Sequence, residues 1–244
     1  MRVVYDGSFE NYLNIVYDLY YKKITPSKIL KRPPEGLLFD DIYECLYREE
    51  EALKVYEALK QKFSKKNFAT VLNMFMCDTI DFEMDLLEFF VEGFKEQRNL
   101  ENINRSSVFN IRKYEKQLFS NVHKMSGFLR FEELEDGSLY AKLQSRFNLV
   151  YFLGKHFAKR LNNQTYYIHD LERSLVFIHS KEFKGVKTVA DFEAPKHSES
   201  EEKFKKLWRE FFDTVAIESR KNDKLQKSLT PLLYRTYMTE FLDD

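Results

Sequence analysis

The sequence predicts an α+β fold. A helical N-terminal region, residues 1–105, packs with a small antiparallel sheet of two hairpins and a long C-terminal helix in residues 106–244. Three observations predict it. Glycine (7) and proline (5) are too scarce for an all-β chain full of tight turns. Two stretches alternate apolar and polar residues around turn residues, and a helical pattern separates them, giving a β-β-α-β-β layout. Phe204, Leu207, Trp208, Phe211, Phe212 and Val215 recur at i, i+3, i+4, i+7, i+8 and i+11, the apolar stripe of a helix. Such hairpins need helical stripes to cover one face. The boundary near 100–106 is soft, because the stripe of 204–215 can pack across it and make one integrated domain.

Each element has its own signal. Arg2–Tyr5 reads as a short strand, and Asp6-Gly7-Ser8 turns it into a helix capped by Ser8, with Phe9, Leu13, Val16 and Tyr20 on one face. Pro26, Pro33 and Pro34 make Thr25–Gly36 an extended loop. Ala52, Val55, Tyr56, Leu59 and Phe63 mark a second helix, and Phe68–Met76 a third. A fourth runs from a cap at Asp78-Thr79 to about Arg98, with Ile80, Met84, Leu87 and Val91 on one face and Phe82, Leu86 and Phe90 flanking it; its seven acidic residues from Asp78 to Glu96 read as a solvated face. Past the polar connector Asn99–Arg105, Ser106 or Ser107 caps a helix striped by Val108, Ile111, Leu118 and Val122.

Phe128–Leu134 and Ser138–Gln144 then alternate around Glu135-Asp136-Gly137. That places Leu129 and Phe131 in the core and leaves Arg130, Tyr140, Lys142 and Gln144 on an open face. Leu149–Leu161 is helical, and Thr165–His169 with Ser174–His179 form the second hairpin. The polar Glu182–Glu202 reads as a mobile excursion, and Trp208, in mid-stripe, reads as core.

Composition narrows the function. Apolar residues make up 43% of the chain, with 23 Phe and 15 Tyr, so a sizeable core can form. With 39 basic and 39 acidic residues there is no global pull toward nucleic acid, and any such surface must be a local patch. Cys45 and Cys77 stand far apart without a C-x-x-C partner and read as reduced core thiols. No cofactor, iron–sulfur cluster or catalytic metal is therefore expected in this chain. Met1–Asp6 turns polar too soon for a signal peptide and no apolar run is long enough for a membrane span, so a soluble, cytoplasmic protein without membrane contact is expected. P-loop, G-x-G-x-x-G, H-E-x-x-H and G-x-S-x-G motifs are absent.

What remains is a set of basic residues and histidines. Arg112, Lys116 and His123 recur at i, i+4 and i+11 on one helix, with Lys124 on the neighbouring line. His123 pairs in sequence with Arg130, His156 with Arg160, and Asp170 with Arg173; Arg220 and Asn222 form a further polar cluster. Guanidinium groups grip phosphate, and histidine carries protons near neutral pH. Arg112, Lys116, Lys124, Arg130, Lys142, Arg160, Arg173, Arg220 and Asn222 are the candidate phosphate or DNA ligands, and His123 and His156 the candidate acid–base groups. The same pairs can equally be internal ion pairs.

Several stretches carry a family resemblance. They are Tyr5-Asp6-Gly7-Ser8-Phe9-Glu10, His123-Lys124-Met125-x-Gly127-Phe128-x-Arg130-Phe131, His156-Phe157-Ala158-x-Arg160, Ile168-x-Asp170 and Arg173. Toward the C-terminus they are Leu207-Trp208-x-x-Phe211-Phe212, Arg220-x-Asn222-x-x-Leu225-Gln226, and Pro231 followed by Thr239-Glu240-Phe241. In these the chain resembles an uncharacterised family of DNA metabolism or repair proteins encoded beside a radical-SAM protein, some members of which are fused to a uracil-DNA-glycosylase-like domain. It departs from that pattern at Lys124, where Arg is usual, and at Arg235, where Trp is usual. The resemblance implies DNA as ligand and a radical-SAM partner. Three functions follow: a DNA-binding accessory to that partner, an enzyme on DNA or a nucleotide using His123 or His156, or a structural adaptor without nucleic-acid contact.

Overall fold

The computed structural model describes residues 1–33, 41–189, 196–217, 219 and 222–242. The fold is α+β, and the chain divides into two compact units, Met1–Leu118 and Phe119–Asp244.

The first unit is built on a strand that the sequence marks plainly, β1 (Arg2–Val4). Gly7 at φ +86° takes the left-handed turn after it, and the Ser8 side chain accepts from the Asn11 amide to start α1 (Phe9–Tyr21). The chain returns as β2 (Lys28–Leu30), parallel to β1, inside the stretch expected to be only a loop. β3 (Ile42–Glu44) pairs parallel on the other edge, giving the order β2-β1-β3. The N-terminal region is thus not purely helical: three residues per strand are too few for an alternating pattern to show. The end of the predicted loop, residues 34–36, lies outside the described residues.

Helices α2 (Glu49–Lys62), α3 (Lys65–Met74) and α4 (Glu83–Lys95) follow, then a 3-10 turn, Gln97–Glu101. α4 starts at Glu83, beyond the predicted Asp78-Thr79 cap, and its buried face keeps Leu87 but is shifted toward the flanking residues. Phe82, Leu86, Phe89 and Phe90 are fully buried, whereas Met84 and Val91 are only half-buried. Bulk decides this, since each buried aromatic ring contributes about 1.5–3 kcal/mol. Glu83 also turns inward, accepting from the Tyr5 hydroxyl at 3.2 Å and pairing with Lys31 at 3.3 Å. One of the acids expected to be solvated is therefore core.

Helix α5 (Ser106–Phe128) runs from the first unit into the second. In the second unit, β4 (Glu132–Glu133) and β5 (Leu139–Leu143) make the first predicted hairpin, turned by Gly137 at φ +76°. α6 (Val150–Arg160) leads to the second hairpin, β6 (Tyr166–Asp170) and β7 (Leu175–His179). The two hairpins do not form a wholly antiparallel sheet. β5 pairs parallel with β6, so α6 is the crossover of a mixed sheet. A fifth strand, β8 (Lys184–Thr188), pairs with β7 within the stretch read as an excursion, and the order is β4-β5-β6-β7-β8. Residues 196–198 also pair along β4, through Glu135 N to Lys196 O and Ser198 N to Glu133 O, each 2.9 Å. The middle of that excursion, 190–195, lies outside the described residues.

α6 lies so close on the sheet that a Cβ at Gly154 would come within 2.2 Å of the Phe177 ring. Phe177 is itself buried and cannot swing away. Gly154→Ala is therefore expected to cost about 1–3 kcal/mol of unfolding free energy through overpacking. Chemical denaturation checks this, and an unchanged midpoint would contradict the close packing.

The chain closes with α7 (Glu201–Thr214), α8 (Asp223–Leu229), α9 (Leu232–Arg235) and a 3-10 turn, Thr239–Phe241. The long C-terminal helix is thus α7, at 14 residues shorter than the 23-residue α5. Its stripe is not core: Phe204, Leu207, Trp208, Phe211 and Val215 are all exposed. Helical spacing shows that a face is apolar, not that anything covers it. No helix among the described residues is long and apolar enough to cross a membrane.

Candidate functional site

The first hairpin does not present the basic, aromatic face that alternation implied. α5 continues to Phe128, so Arg130 lies in the connection before β4 rather than on a strand. Tyr140 is buried, its hydroxyl 2.9 Å from Nδ1 of the buried His169. Lys142 is half-buried with its ammonium 6.0 Å from the Tyr237 ring, so the C-terminal segment lies over the face expected to be open. Burial raises the Tyr140 hydroxyl to about 12 and lowers His169, against the opposing pull of Asp170.

Arg130 is committed inside its own unit. It donates from Nη2 and Nε to the two oxygens of Glu240, at 2.6 and 3.2 Å, and from Nη1 to the carbonyls of Gly127 and Leu129. Its guanidinium lies 5.4 Å from the Trp208 ring. The Trp208 indole N–H donates to the same Glu240 at 3.0 Å. The Glu240 side chain is only 3% exposed, and burial alone would raise its pKa. Hydrogen bonds from Arg130, its own amide and Trp208 outweigh burial and hold it below the usual range. Neither Trp208 nor Glu240 was singled out by charge pattern, since the partners lie 110 and 32 residues apart.

Around this cluster opens a groove of about 900 Å³ lined by Gly127, Arg130, Phe131, Trp208, Phe211 and Thr239, among others. Trp208 is 40% exposed and Phe211 56%. Beyond the groove, Glu132 pairs with Lys205 at 2.9 Å and His197 at 3.1 Å.

The other candidate ligands separate into two groups. Arg112 donates to Thr70 Oγ1, Asn67 Oδ1 and the Leu100 carbonyl within the first unit. Arg173 pairs with the fully buried Asp170 at 3.0 Å and donates to the Ser145 and Arg146 carbonyls. Asn222 caps α8 by accepting from the Leu225 amide at 2.9 Å. Arg220 lies outside the described residues. These side chains are used by the fold.

Lys116, His123, Lys124, His156 and Arg160 are exposed. In the second unit, Phe119 of α5 meets Phe152 of α6 with ring centres 5.5 Å apart, and Phe131 meets Phe157 at 4.9 Å. The Phe119–Phe152 contact thus joins α5 to α6. Phe119 and His123 share one line on α5; Phe152, His156 and Arg160 share one on α6. Both lines start from the same ring contact, so the exposed histidines stand on adjoining helices, with Lys124 and Arg160 beside them. These are the candidates left exposed on the two helices that the Phe119–Phe152 contact joins.

Among the described residues, no group of three or more His, Cys, Asp or Glu side chains is placed to hold a metal ion. Cys45 and Cys77 are buried and not joined in a disulfide, and burial pushes the Cys45 thiol up to about 12, which leaves it protonated.

No curated protein and no solved structure matches the chain. Residues 81–240, about two thirds of the sequence and nearly all of the second unit, match a domain of unknown function, DUF4130. The groove, Arg130–Glu240 and the two basic helices all fall within that span, and by it the chain belongs to the DUF4130 family.

Proposed function

We propose that the protein is a DNA-binding accessory that meets the phosphate backbone with Lys124 and Arg160, flanked by His123 and His156. The observation that carries this reading is the placement of exposed cations on two touching helices of a chain whose net charge is zero. Arg160 and Lys124 make no hydrogen bond or ion pair among the described residues, so their donors are available to an anion. A role in DNA repair beside a radical-SAM partner follows from the sequence resemblance. It enters here as part of the proposal.

The test is binding of a short oligonucleotide at rising salt. Phosphate contacts release counterions, so affinity should fall linearly on a log–log plot. The double variant Lys124→Ala, Arg160→Ala should bind at least about tenfold more weakly at low salt, since each charge-assisted hydrogen bond contributes about 1.5–3 kcal/mol. Its melting temperature should be unchanged, both side chains being exposed. Wild-type protein that binds no DNA at low salt would remove the proposal.

The adjoining histidines favour one second reading, an enzyme acting on DNA or a nucleotide with His123 or His156 as proton carrier. Turnover of an oligonucleotide by the isolated protein, lost in His123→Ala or His156→Ala, separates it from the accessory role.

A further inference from the structure

We infer that the groove beside Trp208 is a binding site for an unpaired nucleobase of single-stranded DNA. This inference rests on the DNA-binding reading above and adds the ligand's chemical class and a second, aromatic subsite. Trp208 is not placed as a packing residue is. Its indole N–H is anchored on a carboxylate that is itself 3% exposed, and a guanidinium lies 5.4 Å from its ring, yet 40% of the residue stays open to solvent. The ring is thus fixed in orientation before any ligand arrives, and ordering it on binding costs little. Phe211, one turn behind on α7, is tilted 35° to it at 5.9 Å and is more exposed still.

A base is the occupant that this combination suits. Nucleobases stack on exposed aromatic faces and cation–π partners regardless of sequence, whereas Arg130 has four hydrogen bonds already made and no free fork for a phosphate. Arg130 and Glu240 are therefore positioning residues for the indole.

The groove also adjoins the proposed phosphate contacts. Gly127 lines it one helical turn after His123 and Lys124, and an added Cβ at Gly127 would meet nothing within 4 Å. The α5 backbone is bare at that point. A strand held by Lys124 can thus turn a neighbouring base over Gly127 onto Trp208, about one turn, or roughly 5 Å, along the helix. Duplex DNA keeps its bases stacked and cannot use this subsite without extruding one.

Trp208 is the single tryptophan of the chain, so its emission reports the groove directly. Three probes are titrated at low salt: a thymidine oligomer, an abasic oligomer of the same length and charge, and a duplex. The thymidine oligomer should quench Trp208 and bind about tenfold more tightly than the abasic one, the order expected for one stacked base. The abasic oligomer should bind without quenching. Phe211→Ala, an exposed change that removes the second ring beside Trp208, should reduce that preference and leave abasic binding untouched. Equal affinity for the two single strands with unchanged emission would overturn the base subsite while leaving phosphate binding intact. Binding of no probe at all would overturn both. A preference for the duplex, or a thymidine preference undiminished in Phe211→Ala, would also count against the groove.

Discussion

Arg130→Ala should lower the unfolding free energy by about 2–4 kcal/mol, somewhat under the 3–5 kcal/mol typical of breaking a fully buried pair, because Arg130 is 22% exposed. The loss comes chiefly from the partner left behind. Glu240, 3% exposed in the native protein, would keep the Trp208 indole and its own amide as donors but lose the cation that neutralises it. The pH dependence should change with it. Glu240 in the native protein is held below its ordinary value, so its contribution is present at neutral pH and is lost as pH falls through the folded value. In the variant, burial is opposed by fewer hydrogen bonds, and that part of the acid sensitivity should shrink. Urea melts of both proteins at pH 7 and pH 4 check this. Stability equal to wild type at pH 7 would mean that the pair contributes nothing. In the DNA-binding proposal, phosphate-dependent binding by the variant should stay close to normal, because Arg130 has its donors committed to Glu240 and two carbonyls.

Arg173→Ala should have an effect of the same size, about 2–4 kcal/mol, for the same reason. Asp170 is fully buried, and Arg173 reaches it through Nη1 at 3.0 Å and its own amide at 3.2 Å. The native contribution of Asp170 is opposite in sign to that of Glu240, but the deficit of the variant changes with pH in the same sense as that of Arg130→Ala. Burial raises the Asp170 carboxyl and outweighs the Arg173 hydrogen bonds and charge, so the ionised form already costs stability in the native protein. Without Arg173 that cost grows as pH rises through the raised value and vanishes when the carboxyl is protonated. The deficit of the variant should therefore be largest near neutral pH and shrink on acidification. A deficit that grows with acid would show that the pair is not what Arg173 supports.

These two arginines mark where reading the sequence stopped. Residue type and local pairing marked Arg112, Arg130 and Arg173 as phosphate binders or internal ion pairs, and could not choose between them. The choice depends on Asn67, Glu240 and a sheet-end carboxylate, and the first two are remote in sequence. Lys124, His156 and Arg160 read the same way in sequence, yet stay open because no acid among the described residues of another element reaches them. The groove was hidden for a related reason. Amphipathic spacing on α7 is identical whether the stripe is covered or exposed, so Trp208 read as core.

Local chemistry by itself determined much of the secondary structure. Ser8 and its following amides start α1, Asp136-Gly137 turns the first hairpin, and the alternation in 139–143, 166–170 and 175–179 makes strands, because caps, φ preferences and period are short-range properties. The class, α+β, followed from those elements. Only the tertiary structure decided that β5 and β6 run parallel, that three-residue strands build a second sheet, and which arginines are spent inside the fold. Strand pairing and ion-pair partners are set by long-range packing, where burying Glu240 or Asp170 demands a cation and leaving Trp208 exposed demands nothing of its neighbours in sequence.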